Sequence, residues 1–479
     1  MSVKSTLNEA ETVQDVRSLA HLPPIWPHDL LPDIRHLLAQ SDAKLVVLDD
    51  DPTGTQTVYD TIVLTTWSVA VLARELQADA PGFYILTNSR SLNPSEAEQV
   101  TLEIIQNLQT ASTQTGQAFE VVSRSDSTLR GHFPLETDTI TNVLTQKPDG
   151  ILLAPYFLEG GRVTVNDTHY ILKDDQLIPA ASSEFAQDAT FGYRNSHLPS
   201  WVAEKTANRI TPDQVCTLSL EIIRKGGPKA VKDVLMTVQN GQVCVVNALD
   251  LRDLEVVIVG QLLAEADGKR FLARTAASYV QVRLGLASRP LIDAAKLNAD
   301  RHQAVGGLVV VGSYVPTTTT QLAMLLEHSD IIPVELDVPT LLTCEDPNTM
   351  LRQASQDVEQ QLAAGNDVAL FTSRDVVEGD DPERSLELSR RVSTSLIRII
   401  GTLKTRPRFL IAKGGITSSD VATQALNVSR AVVMGQLLPG IPVWQLGDES
   451  RYPGLAYVVF PGNVGRSKSL LEAVDQFDT

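Results

Sequence analysis

The sequence predicts an α/β protein of two domains, each a mostly parallel sheet flanked by helices, and three observations carry that reading. Short apolar runs, KLVVL (44–48), FYIL (83–86), FEVV (119–122) and GILLA (150–154), recur with helical patterns between them. Continuous apolar strands alternating with amphipathic helices mark a sheet covered on both faces. A second such series follows residue 300: LVVV (308–311), VALF (368–371), FLIA (409–412), AVVM (431–434) and YVVF (457–460). The length of 479 residues suits two large domains, at roughly 150 residues or more apiece.

Each intervening helix has its own signal. In NPSEAEQVTLEIIQNL the residues Ala97, Val100, Ile104, Ile105 and Leu108 fall on one face, and Ser95 with Glu98 reads as a capping box. TTTTQLAMLLEH and ERSLELSRRVSTSLIRIIGTL show the same period in the second series. The stretch from about 200 to 300 reads as more helical, and RTAASYVQVRLGLA closes the first domain. The expected segments are a Pro-rich N-terminal extension over 1–43, a first domain over 44–295 and a second over 296–479.

Composition narrows the function classes. With 58 acidic against 40 basic side chains the net charge is -18, which disfavours a polyanion such as nucleic acid as partner. Any anionic ligand must then be held by local groups. At 43% hydrophobic and 20% charged residues, the chain is ordinary for a folded protein. Cys216, Cys244 and Cys344 form no C-x-x-C pair and have no histidine at metal-ligand spacing. The amino terminus lacks the apolar core of a signal peptide, and no run reaches the 18 or so apolar residues of a membrane helix. Together these predict a cytoplasmic protein with no membrane partner.

In open parallel sheets, ligands bind beyond the carboxyl ends of the strands. KLVVL runs into Asp49-Asp50-Asp51-Pro52-Thr53-Gly54; FYIL into Thr87-Asn88-Ser89-Arg90; FEVV into Ser123-Arg124-Ser125-Asp126-Ser127-Thr128-Leu129-Arg130-Gly131-His132. If these strands are neighbours, carboxylates, hydroxyls and guanidiniums face one pocket. Arginine forks suit a carboxylate, sugar hydroxyls suit carboxylates, and Asp50 or Asp51 could receive a hydroxyl proton. Alone, DDDPTG reads as well as a solvated turn; the three strand ends together favour a site. Gly160, Gly161 and Arg162 are balanced between a ligand loop and a plain one. His132 and His169 read as hydrogen-bonded structural residues.

In the second domain FLIA ends in Lys413, Gly414 and Gly415, after which Thr417 is expected to cap a helix with Asp420 completing the box. A glycine turn feeding a helix amino terminus suits a phosphate, although this one is neither G-x-x-x-x-G-K-[ST] nor G-x-G-x-x-G. LVVV runs into Gly312-Ser313 and TTTTQ, and YVVF into Pro461-Gly462-Asn463. Three small-residue loops at strand ends make a nucleotide cleft; each singly is also what a tight connection needs.

These residues resemble the four-carbon acid sugar kinases. DDDPTGTQ is similar to that family's D-D-x-T-G, TNSRSL to its S-R motif, and SRSDSTLRGHFPLE to its D-S-T-L-R-G-x-x-x-x-E signature. VVVGSYVPTTTTQL and KGGITSSDVATQAL resemble its G-S-x-x-x-x-T-x-x-Q and G-G-x-T segments, in order over roughly 44–470. Pro52 departs from the aliphatic residue usual in D-D-x-T-G, and Asp49 precedes it.

The resemblance implies an ATP-dependent kinase, using Mg²⁺, that phosphorylates the terminal hydroxyl of threonate, erythronate or a 3-oxo-tetronate, with the active site in the interdomain cleft. By motif, Asp50 and Asp51 with Arg90, Ser125, Asp126, Ser127, Thr128, Arg130 and Gly131 belong to the acid site, one of the two aspartates being the base. Ser313, Gly414, Gly415, Ile416, Thr417 and Gly462 belong to the nucleotide. The metal ligands are not assigned, and a homodimer is the base-rate expectation. Two other classes compete: a sugar-acid sensor, and a serine hydrolase using Ser127 or Ser313, for which there is no G-x-S-x-G elbow.

Overall fold

A computed structural model describes residues 12–293, 297, 305–344, 346–374 and 382–477. Packing divides the chain into two units: 1–50 with 67–288, and 51–66 with 289–479. The expected segments were continuous, whereas the short stretch 51–66 here packs with the second unit.

The first unit is built on seven parallel strands in the order Cys216–Leu218, Gln242–Val246, Gly150–Ala154, Phe271–Thr275, Phe119–Arg124, Lys44–Asp49, Gly82–Leu86. The four apolar runs read from the sequence are all in it. The region 200–300 also supplies three strands where a helical stretch was expected. Its dominant helix, Leu251–Ala266, is apolar on nearly every face because it is buried on nearly every face. One side is covered by the N-terminal helix Leu31–Leu38, and polar clasps hold that extension down. Arg252 Nη1 donates to His28 O at 2.7 Å, Arg224 Nη1 to Pro23 O at 3.0 Å and Arg35 Nε to Gly285 O at 2.8 Å. A small antiparallel sheet, Gln14–Asp15, Gln176–Pro179, Thr168–Lys173 and Arg162–Val165, completes the unit.

The helix Pro94–Thr115 buries Ala97, Ile104, Ile105 and Leu108 as expected, with Val100 only partly covered. Its capping box is formed by Asn93 and Glu96, not by Ser95 and Glu98. Pro94 at the first helical position explains the shift: its ring presets helical φ and its missing N–H costs nothing there.

In the second unit the order is Thr61–Leu64, Arg430–Leu438, Ile441–Leu446, Ala456–Phe460, Leu410–Lys413, Leu308–Val311, Val368–Thr372, Ile332–Leu336. From Ala456–Phe460 onward the strands are parallel; the first three pairings are antiparallel. Val309, Phe371, Ile411, Val458, Phe460 and Leu470 belong to its core, and Phe409 stacks on Phe477 with ring centres 4.2 Å apart. The segment 51–66 is tied into this unit by ladder and side-chain bonds. Thr61–Leu64 pairs with Arg430–Val433, Trp444 Nε1 donates to Thr55 Oγ1 at 3.0 Å, and Gln56 Nε2 donates to Gly440 O at 3.1 Å. Among the described residues no helix is long and apolar enough to cross a membrane.

Candidate functional site

In the first unit the strand Lys44–Asp49 lies between Gly82–Leu86 and Phe119–Arg124, so the three polar loops leave the same edge of the sheet. Asp49 Oδ1 takes Arg124 Nη1 at 3.1 Å. Asp50, 2% exposed, takes Arg90 on both oxygens, at 2.5 Å from Nη2 and 3.3 Å from Nε, and Ser125 Oγ at 2.7 Å. Burial raises its carboxyl pKa, but Arg90, Arg124 and Arg274 outweigh burial and hold it below the ordinary value. Asp50 is thus a fixed anion that orients Arg90. Behind it, Glu136 accepts Ser89 Oγ at 2.5 Å and Arg274 Nη1 at 2.5 Å, and Arg274 also reaches Ser123 Oγ at 2.7 Å. Glu136 is the last residue of the SRSDSTLRGHFPLE stretch, so its place in the motif was the signal that could have found it.

The loop 126–131 is held in an uncommon shape. Arg130 Nε donates to Asp126 Oδ2 at 2.6 Å, and the Thr128 hydroxyl donates to the same oxygen. Burial alone would raise the Asp126 carboxyl, yet Arg130 and Arg90 keep it far below the usual range. Leu129 adopts φ +68° and Gly131 φ +116°, conformations that cost a non-glycine residue of order 1–3 kcal/mol each. A Cβ on Gly131 would come 2.6 Å from Ser125 Oγ, 2.7 Å from Arg274 Nη2 and 2.9 Å from Asp50 Oδ2. Only glycine fits among these groups.

Two carbonyls of the loop are clamped from outside: His169 Nε2 donates to Ser127 O at 2.7 Å, and Tyr193 Oη to Thr128 O at 2.7 Å. A carbonyl only accepts, so the His169 proton sits on Nε2, and Nδ1 accepts from Thr164 Oγ1 at 2.9 Å. Burial lowers this histidine to about 4, keeping it neutral at pH 7. His132 Nε2 is likewise spent on Ser89 O at 3.0 Å. Both are supports, and His169 holds the carbonyl of Ser127, not its hydroxyl, leaving the hydrolase reading without a Ser–His pair there.

The second unit presents a different kind of edge. Gly414, φ +117°, caps the helix Gly415–Asp420 without any side-chain cap. Thr417 lies inside that helix and Asp420 bonds Gln424 at 3.0 Å and the Ser393 hydroxyl, so the expected Thr417–Asp420 box does not form. The reason is the positive φ of Gly414, which starts the helix three residues earlier. Around this turn everything is small. A Cβ on Gly414 would meet Ser313 Cβ at 2.9 Å, one on Gly462 would meet Ser313 Oγ at 3.0 Å, and one on Gly312 would meet Thr417 Oγ1 at 2.3 Å. Thr318 Oγ1 donates to Gly462 O at 2.8 Å, and Arg374 Nη1 holds Ser313 O at 2.8 Å. Ile416 is half exposed beside these loops in sequence.

Asp51, expected with the acid-site residues, packs in this unit. Its Oδ1 accepts Thr53 N at 2.8 Å and Thr53 Oγ1 at 2.5 Å, and its Oδ2 would lie 2.6 Å from a Cβ on Gly415. Successive aspartates therefore serve different units. Beneath the loops, Lys413 is fully buried and donates from Nζ to Pro461 O at 2.5 Å and Gly462 O at 3.2 Å, 4.0 Å from the Phe460 ring centre. Burial lowers it to about 6. In sequence Lys413 is only the residue that follows the apolar run FLIA, with no local signal of a role.

Arg90, Ser125 to Thr128, Arg130 and Gly131 lie in the first unit, and Ser313, Gly414 to Thr417 and Gly462 in the second. A cavity of about 530 Å³ opens elsewhere, at the amino ends of strands, among Ala43, Phe119, Glu120 and Phe271; the strand-end rule and the polar chemistry both favour the opposite edge.

Residues 45–283 match the family of sugar-binding N-terminal domains, and residues 308–470 match that of nucleotide-binding C-terminal domains. No curated protein matches the sequence. Among solved structures, a Salmonella typhimurium LT2 protein provisionally described as a tRNA synthase aligns with TM-score 0.62 at 18% identity, over 90% of this chain and 98% of that one. Haemophilus influenzae protein HI1011, of the DUF1537 family, aligns with TM-score 0.59 at 18% identity, over 90% and 100%. At that identity the likeness is one of fold. The two domain matches, in this order and together over most of the chain, place the protein in the families of sugar-binding N-terminal and nucleotide-binding C-terminal domains, joined in one chain.

Proposed function

We propose that the protein is an ATP-dependent kinase that phosphorylates the terminal C4 hydroxyl of a four-carbon sugar acid such as threonate, erythronate or a 3-oxo-tetronate. The observation that carries this is the division of Asp50 and Asp51. Asp50 fixes Arg90 in an ionic site of hydroxyls and guanidiniums, while Asp51 lies against the glycine turn of a small-residue site. Phosphoryl transfer needs little covalent chemistry beyond positioning, charge stabilisation and a group for the hydroxyl proton. Arg90 and Arg130 then hold the acid; the Gly414 amide is spent on Phe460 O at 2.8 Å, so the helix start at Gly415 is what meets the nucleotide phosphates.

Asp51 is the better candidate for the base. Asp50 is committed to Arg90 and Ser125 with a lowered pKa, and a carboxylate so stabilised is a weak proton acceptor. Mg²⁺, when bound, neutralises charge on the phosphates. Among the described residues no three His, Cys, Asp or Glu side chains gather as a metal cage; a Mg²⁺ that arrives with the nucleotide needs only one or two carboxylates, and Asp51 is the carboxylate at the turn. The test is ADP release with Mg-ATP against D- and L-threonate, D- and L-erythronate and their 3-oxo forms. Turnover with one acid and not its epimers is the expected result; ATP binding with no turnover on any acid would sink the proposal.

A further inference from the structure

Of the arginines at the first unit's strand-end edge, Arg90, Arg124, Arg130 and Arg274 each hold a carboxylate: Asp50, Asp49, Asp126 and Glu136. Arg162 holds none among the described residues. Its Nη1 donates to Gly160 O, and its Nε is buried without a hydrogen-bond partner. Its guanidinium stands 5.7 Å from the centre of the Phe185 ring, which Arg130 approaches to 5.0 Å. Two like charges share one aromatic ring, with Asp126 and, at 3.6 Å from Arg130, Asp188 as neighbouring anions.

We propose that Arg162, paired with Arg130 around Phe185, takes the carboxylate of the ligand and so selects acids over neutral sugars. This rests on the reading of the first unit as a sugar-acid site and adds to it the residue that reads the acid group. A guanidinium taken out of water without a direct carboxylate partner is costly: burial lowers the Arg162 pKa from its ordinary value, with Asp126 and Glu184 opposing that from a distance and Arg130 adding to it. The Nε–Nη2 side of a guanidinium is one of its two-pronged edges for a carboxylate, and here that edge contains the unpartnered Nε. Because Nε is buried, the surrounding side chains must shift for the ligand to meet it. The alternative is that Arg162 only braces the Gly160 turn.

The experiment is calorimetric binding of the four tetronates and of erythritol, their neutral counterpart, to the wild-type protein, Arg162→Met and Arg162→Gln. Expected are binding of at least one tetronate by the wild type, a loss of tenfold or more in both variants, and unchanged affinities for erythritol and Mg-ATP. Melting temperatures identify a variant that fails to fold, in which case the other decides. Acid affinity within tenfold of wild type, a parallel loss of erythritol and Mg-ATP binding, or no tetronate bound by the wild type would each overturn the inference. ADP release separates the two readings. Acid bound through Arg162 without turnover ends the kinase proposal alone; turnover with an unaltered acid KM in Arg162→Met ends this one alone.

Discussion

On the proposed reading, the two strand-end edges would hold a charged ligand in opposite ways. In the first unit side chains do the work: five arginines, four of them paired with buried or half-buried carboxylates, surround Gly131 and the loop 126–131. In the second unit backbone does it, through Gly312, Gly414, Gly415 and Gly462, with Ser and Thr hydroxyls between them. A ligand whose stereochemistry must be read needs directional side chains, because discrimination comes from polar groups left unpaired by the wrong isomer. A phosphate chain needs only amides and room. The contrast predicts that damage to the first edge will be felt in the acid KM and damage to the second in the ATP KM.

The largest effect should come from Asp51. Asp51→Asn removes the proposed base and keeps the Thr53 contacts nearly isosteric, so kcat should fall about 10³-fold, within the usual range for general base catalysis. ATP affinity, measured by calorimetry, should change little. A large loss of nucleotide affinity alone would instead assign Asp51 to the phosphates or their metal.

A matched pair sharpens the comparison. Gly131 and Gly414 have φ of +116° and +117°, so alanine at either is held at a strained positive φ. Their surroundings differ: Ser125, Arg274 and Asp50 crowd the first, Ser313 and Thr417 the second. Gly131→Ala should raise the acid KM by about 10- to 100-fold and Gly414→Ala the ATP KM by a similar factor, each equivalent to about 1.4–2.7 kcal/mol. Equal effects of both variants on both constants would mean that strain, and not local contact, sets the outcome.

How much of this was readable in the sequence follows the range of the interactions. The apolar runs that became strands were local signals, and all nine are strands. The polar strand ends were legible once the strands were, because position beyond a parallel strand already implies a shared edge. The strands Cys216–Leu218 and Gln242–Val246 were lost beside Leu251–Ala266, whose apolar character all round blurs any period. The packing of 51–66 with the second unit depends on pairings such as Thr61–Leu64 with Arg430–Val433, nearly four hundred residues apart in sequence, and no local pattern encodes it. Arg162 was visible as a residue and balanced in meaning; what distinguishes it is a buried Nε without a hydrogen-bond partner among the described residues, which only the fold reveals.

Lys413 tests the second edge by pH. Its folded pKa lies near 6 against an ordinary 10.5, so between those values the unfolded chain holds a proton that the folded chain does not. Stability therefore rises with pH across this window, and the penalty is complete below the folded pKa. The wild type should gain on Lys413→Met by at most about 1.4 kcal/mol per pH unit between pH 7 and 9, measured by urea unfolding of both proteins. Parallel curves would show that Lys413 stays charged and holds the Pro461 and Gly462 carbonyls as an ammonium.

The smallest effect tests the first edge at its margin. Ser125 Oγ donates to Asp50 at 2.7 Å and also lies 3.0 Å from Arg130 O. A hydrogen bond to a charged group contributes about 1.5–3 kcal/mol, but Asp50 keeps Arg90 when Ser125 is lost. Ser125→Ala should therefore raise the acid KM by less than tenfold, leave the ATP KM unaltered and raise the Asp50 pKa, since one donor to its ionised form is gone. A loss as large as that of Gly131→Ala would mean that Ser125 touches the ligand directly, and that the hydroxyl, more than the ion pairs around it, is what this edge offers a sugar.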